Sequence, residues 1–122
     1  MAHRVLVIED NEQNMYLITF MLERAGHQVV QAQDGLEGIG LAESENPALI
    51  LLDIQLPEMD GYAVAGELKR NPATAHVPIV AVTSYAMVGD RERALDAGCS
   101  GYIEKPIDPD TFIHEVEAFL PR

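Results

Sequence analysis

Val5-Leu6-Val7-Ile8-Glu9-Asp10-Asn11 is the stretch on which the fold turns. Its four apolar residues run without polar interruption, which reads as a strand buried on both faces. The run breaks into two acids and then into a helix-period segment over residues 11–25. There Leu17, Ile18, Met21, Leu22 and Ala25 form the expected inward stripe, and Gly26 is a natural stop. A doubly buried strand passing into an amphipathic helix is the first half of a parallel crossover unit.

The same alternation continues outward from this unit. Residues 28–32 read as a second, more polar strand, suited to a sheet edge. Residues 35–44 read as a helix with Leu36, Ile39 and Leu41 among its apolar positions. Pro47 precedes an apolar strand at 48–52, and 60–70 is a third helix with Val64 and Leu68 one turn apart. Pro78 opens a buried strand at 79–82. A helix follows from about 88 to 97 and stops at Gly98, and 101–103 is a short last strand. Asp108-Pro109-Asp110 begins the final helix, with a capping acid, a proline in the first turn and a second acid near the positive dipole end. That helix runs through Phe112, Ile113, Val116, Phe119 and Leu120 to the chain end.

Five strand–helix repeats predict an α/β fold: a doubly wound, flavodoxin-like, five-stranded parallel sheet, order 2-1-3-4-5, with helices on both faces. The 122 residues fit one domain, residues 1–122. Eight Lys and Arg stand against 20 Asp and Glu, a net charge of −12. So acidic a chain disfavours direct nucleic-acid binding and anionic membrane surfaces. The apolar runs are too short for membrane insertion, and the N-terminus lacks a signal-peptide pattern. A lone cysteine, Cys99, suits a reducing cytoplasm and reads as a buried structural thiol. His3, His27, His76 and His114 are scattered and read as surface or packing residues.

The chemistry is expected at the carboxyl ends of the strands, at the switch point between the first and third. Glu9 and Asp10 follow the first strand and Asp53 the third. Thr83 and Ser84 follow the fourth, and Lys105-Pro106 the fifth. Crowded carboxylates repel unless a cation or protons neutralise them, and an all-oxygen set suits a hard ion such as Mg²⁺. Asp53 as nucleophile, a divalent ion, Lys105 and the Thr83 hydroxyl make a phosphoryl-accepting site. Each residue has a plainer reading too: Asp10 and Asp53 as caps, Glu9 and Lys105 as solvated charges, Thr83 and Tyr102 as ordinary strand residues.

Four segments carry a resemblance to the receiver domain of two-component response regulators. They are Val7-Ile8-Glu9-Asp10-Asn11, Leu52-Asp53-Ile54-Gln55-Leu56-Pro57-Glu58-Met59-Asp60-Gly61, Val80-Ala81-Val82-Thr83-Ser84 and Tyr102-Ile103-Glu104-Lys105-Pro106. Their order and strand-end placement make the match specific, and it covers essentially the whole chain. The resemblance is closest to single-domain, cell-division regulators of the DivK kind and to receivers of hybrid kinases, with which it shares the Glu9-Asp10-Asn11 start and Tyr85-Ala86-Met87 with Gly89-Asp90. The resemblance implies that Asp53 is the phosphoacceptor for a histidine kinase or histidine phosphotransfer protein. It implies that Glu9, Asp10, Asp53 and the Gln55 backbone carbonyl hold Mg²⁺, with Mn²⁺ as a substitute. Thr83 and Lys105 would contact the phosphoryl group, Thr83 and Tyr102 would form a switch pair, and Lys105-Pro106 would be a cis peptide. Gln55 and Tyr85 would tune dephosphorylation. Glu9 departs from the family in standing where many members have Asp, and Ser84 where Ala is common.

On the first helix Asn14, Met15, Tyr16 and Phe20 lie off the inward stripe and are candidates for partner docking. In the resembled family this helix engages the kinase's helical bundle. If the chain is the whole protein, its output goes to a downstream protein target; the alternative is a receiver excised from a hybrid kinase or larger regulator. An aspartyl-nucleophile phosphatase is a remote alternative, since the first strand ends Glu9-Asp10-Asn11-Glu12 without the Asp-x-Asp pattern of that class. A flavin carrier of the same fold would need a hydroxyl- and glycine-rich phosphate loop where these acids stand.

Overall fold

A computed structural model describes residues 3–83 and 89–121. Its elements alternate as β1 (Arg4–Ile8), α1 (Glu12–Arg24), β2 (Gln28–Ala32), α2 (Gly35–Glu45), β3 (Leu49–Asp53), α3 (Gly61–Arg70), β4 (Ile79–Thr83), α4 (Asp90–Asp96), β5 (Gly101–Glu104) and α5 (Phe112–Glu117). The five strands are parallel in the order β2-β1-β3-β4-β5, as the alternation predicts.

Strand parity divides the core. Leu6, Ile8, Ile50, Leu52, Ile79 and Ala81 meet Ala42 of α2, Val64, Ala65 and Leu68 of α3, and Ala94 of α4. Val5, Val7, Leu49, Leu51, Val80, Val82 and Ile103 meet Ile18, Met21 and Leu22 of α1 and Phe112 and Val116 of α5. β3 and β4 are buried throughout, because helices cover both faces of the sheet centre. β2 is the polar edge.

Side-chain caps start three helices. Asn11, Asp34 and Asp60 accept from the backbone N–H three residues on, at 2.9, 2.8 and 2.9 Å. The sequence reading placed Asn11 and Asp60 inside their helices; each is the residue before. α1 closes with His27 N–H on Leu22 O and Gly26 N–H on Glu23 O, both 3.0 Å. That pair of bonds needs a left-handed residue, and Gly26 supplies it at φ 95°.

Two further expectations change, the inward stripe of α1 and the extent of α5. The inward stripe of α1 includes Met15, while Leu17 is 37% exposed and Ala25 faces solvent. Residues 15, 18 and 22 share the face over the sheet, whereas Leu17 sits on the flank and Ala25 caps a helix that has already ended. Leu36 of α2 is exposed for a similar reason: Gly35, Gly38 and Ala42 face inward and bring the backbone close. Regular α5 begins at Phe112, although Asp108 O already accepts from Phe112 N–H at 2.9 Å. The proline turn leads into the helix rather than forming its first regular turn. After Glu117 the chain continues in single turns, with Phe119 N–H on Val116 O and Leu120 N–H on Glu117 O. Ser84, Tyr85, Ala86, Met87 and Val88, including the expected start of the fourth helix, lie outside the described residues.

Candidate functional site

Backbone pairing fixes where each chain segment leaves the sheet. Glu9 N–H donates to Ala32 O at 2.9 Å, Ile54 N–H to Val82 O at 3.1 Å, and Lys105 N–H to Thr83 O at 2.7 Å. These bonds hold the ends of β1, β3, β4 and β5 at one edge. Gly61 closes the loop between β3 and α3 down on this edge. A Cβ there would lie 2.5 Å from Ile54 Cα and 2.7 Å from Asp53 O, so only glycine lets α3 begin so close to the end of β3. Its N–H donates to Ile54 O at 2.9 Å.

Glu9, Asp10 and Asp53 converge at this edge, each offering a carboxylate oxygen within 4.8 Å of the others. Glu9 and Asp53 are buried and Asp10 is exposed. Asp53 Oδ1 accepts from Gln55 N–H at 3.0 Å, and Glu9 Oε2 accepts from Asn11 N–H at 3.2 Å. Three hard oxygen donors at this spacing, one of them open to solvent, suit a divalent cation that keeps some of its waters. Gln55 sits beside them through its N–H contact with Asp53.

Lys105 enters from the end of β5, next to a cis Lys105-Pro106 bond. Its Nζ lies 2.8 Å from Glu9 Oε1 and 3.6 Å from Asp53 Oδ2. Burial pushes the Glu9 carboxyl up to about 7. Lys105 opposes that rise, and the neighbouring Asp53 adds to it. Charge matching in the cluster is therefore incomplete: two buried acids share one ammonium.

Thr83 and Tyr102 lie on the same face of the sheet. Tyr102 pairs with Ala81, and Thr83 is two residues further along β4. The Thr83 side chain is buried. The Tyr102 hydroxyl is buried with no hydrogen-bond partner among the described residues. Burial raises its pKa, and Asp90 adds to the rise. Beside it, Arg93 of α4 stacks over the Tyr62 ring at 4.1 Å, a contact that no local sequence signal announces.

On α1, Asn14 is half-buried and Tyr16 and Phe20 are 72% and 49% exposed, with their rings stacked 6.3 Å apart. Met15 is not part of that surface; it is a core residue at 7% exposure. Cys99 is buried and its thiol is pushed up to about 11 by burial. Of the histidines, His27 is a packing residue, its Nε2 2.9 Å from Glu117 Oε2. Among the described residues no helix is long and apolar enough to cross a membrane.

Comparison with known proteins identifies the family. The family model for the response regulator receiver domain matches residues 5–117. The polar-differentiation response regulator DivK of Brucella ovis is 42% identical over 98% of this chain and 98% of its own. DivK of Brucella anthropi matches equally, 42% over 98% of both. Among solved structures, the receiver domain of sensor histidine kinase PA1611 from Pseudomonas aeruginosa superposes with a TM-score of 0.89 at 33% identity, covering 98% of both chains. That structure has a magnesium ion coordinated in its active-site cleft. Chemotaxis protein CheY4 of Vibrio cholerae shares the fold, with a TM-score of 0.92 at 22% identity over 98% of this chain and 100% of its own. With every element from β1 to α5 inside the matched span except Arg4, the first residue of β1, the chain belongs to the response regulator receiver domain family of two-component signalling.

Proposed function

We propose that Asp53 is the phosphoacceptor of this receiver. The supporting observation is the convergence of Glu9, Asp10 and Asp53 within 4.8 Å, with Lys105 Nζ 3.6 Å from Asp53 Oδ2. A carboxylate oxygen of Asp53 forms the new bond to phosphorus as the P–N bond to the donor's phosphohistidine breaks. The electron pair of that bond returns to the imidazole nitrogen. Glu9, Asp10, Asp53 and the Gln55 carbonyl would hold Mg²⁺, or Mn²⁺ in its place. Such an ion offsets negative charge on the phosphoryl oxygens.

Lys105 and Thr83 supply the protein's own donors to those oxygens. The hydroxyl of Tyr102, without a hydrogen-bond partner among the described residues, follows Thr83 when that residue turns to the phosphoryl group. The reaction stays within the chain: it catalyses its own phosphorylation and its own hydrolytic dephosphorylation. The changed surface then alters protein–protein contacts with a downstream target. The donor is a histidine kinase or a histidine phosphotransfer protein, docking against Asn14, Tyr16 and Phe20. The likeness to DivK along its length favours a signalling protein of that kind.

The test is incubation with acetyl phosphate and Mg²⁺ followed by intact mass. A single phosphoryl adduct that needs Mg²⁺ and disappears in Asp53→Asn is expected. An adduct that persists in Asp53→Asn would overturn the assignment.

A further inference from the structure

Lys105 is held by the wrong acid for phosphoryl chemistry at Asp53. Its Nζ is 2.8 Å from Glu9 Oε1, a charge-assisted hydrogen bond, but 3.6 Å from Asp53 Oδ2, outside hydrogen-bond range. The Lys105 and Glu9 side chains are only 9% and 2% exposed, so solvent screens the pair weakly. The second oxygen of Glu9 is taken by Asn11 N–H at 3.2 Å. Yet Glu9 is also one of three carboxylates that converge to a cation-sized group. A divalent ion and an ammonium drawn to the same carboxylate repel each other strongly at this depth. Glu9 spans to Lys105 from the end of β1, and an aspartate, one methylene shorter, would fall short of that contact.

We propose that Glu9 is a positioning residue for which Lys105 and the divalent cation compete, so that cation binding releases Lys105 toward Asp53. This rests on the reading of Asp53 as phosphoacceptor and adds to it a coupling between metal and lysine that runs through one side chain. Lys105 becomes available to a phosphoryl group only as the cation takes Glu9. The glutamate thus links two requirements of the site that an aspartate would leave independent.

A double-mutant cycle on the unphosphorylated protein tests the coupling, with Mg²⁺ affinity read by isothermal titration calorimetry. Lys105→Met should tighten Mg²⁺ binding about tenfold with Glu9 present, and about threefold or less in Glu9→Asp. The residual effect is the through-space repulsion that any cation would feel. Lys105→Gln repeats the measurement if the methionine variant fails to fold. An equal gain in both backgrounds, or no measurable Mg²⁺ binding to the wild-type chain, overturns the proposal. Acetyl phosphate labelling of the same samples separates the two ideas. A Mg²⁺-dependent adduct at Asp53 without coupling in the cycle sinks the competition and leaves the phosphoacceptor standing.

Discussion

Removing the proposed phosphoacceptor charge should make the protein more stable. The Glu9 carboxyl sits at about 7 against an ordinary 4.5. At about 1.36 kcal/mol per unit, holding Glu9 ionised in the fold costs about 3 kcal/mol. Burial is the largest cause and would survive a change at Asp53. Lys105 acts in the opposite direction, and Asp53 accounts for only part of the rise. Asp53→Asn should therefore recover on the order of 1 kcal/mol, or about 4 °C in Tm for a domain of this size. The amide oxygen can still accept the Gln55 N–H that Asp53 Oδ1 accepts at 3.0 Å, so the substitution removes charge and little else. The sign follows from proton binding. Between about 4.5 and 7 the folded state keeps a proton on Glu9 that the unfolded chain has released. Stability is therefore lost as pH rises through that window. Urea denaturation in EDTA, followed by far-UV circular dichroism, should show the variant ahead at pH 8 and the gap narrowing at pH 5. A variant no more stable than wild type at pH 8, or a gap that widens at pH 5, would refute the reasoning.

Other outcomes follow from the same geometry. Millimolar Mg²⁺ in place of EDTA should stabilise the wild type more than Asp53→Asn, because a ligand that binds the folded state adds to its stability; equal shifts in Tm would count against Asp53 as a ligand. Gly61→Ala should cost about 1–3 kcal/mol in urea denaturation, since the new Cβ meets Ile54 Cα at 2.5 Å. Met15→Ala should cost about 2–3 kcal/mol as a core truncation. The Tyr16→Ala, Phe20→Ala double variant should leave stability nearly unchanged and slow transfer from a cognate phosphohistidine donor; an unchanged transfer rate would remove that surface from docking. Native Cys99, with its thiol near 11, should resist iodoacetamide at pH 8 and react fully in urea.

The parts of this fold legible in the sequence are those governed by short-range rules. Val5 through Ile8 and Ile79 through Val82 must be covered on both faces, and that demand leaves few topologies for a chain of this length. Once the order of strands is known, Glu9, Asp10 and Asp53 have nowhere to go but the same edge. The shared face of Thr83 and Tyr102 follows from parity and register alone. Helix phase is harder. Met15 and Leu17 are both apolar and two residues apart, and only the seating of α1 on Val5, Val7 and Leu49 decides which of them is buried. Helix starts are uncertain by a turn, because a proline turn such as the one at Pro109 forms a helical bond at Asp108 before regular helix begins.

Hardest of all is the choice among partners inside the site. A sequence lists one lysine and several acids near one strand edge, and every pairing has the right signs. The outcome depends on differences of less than an ångström, 2.8 Å to Glu9 against 3.6 Å to Asp53. Those differences come from side-chain length and from the backbone N–H groups of Asn11 and Gln55, which orient each carboxylate. The departure at Glu9 is visible in the sequence as one additional methylene. Its consequence becomes visible only when Lys105 is placed within reach, because the longer arm meets the lysine while keeping a carboxylate oxygen among the converging acids. Conservative replacement within an acidic site thus changes which groups compete, even where fold, charge and donor type are the same.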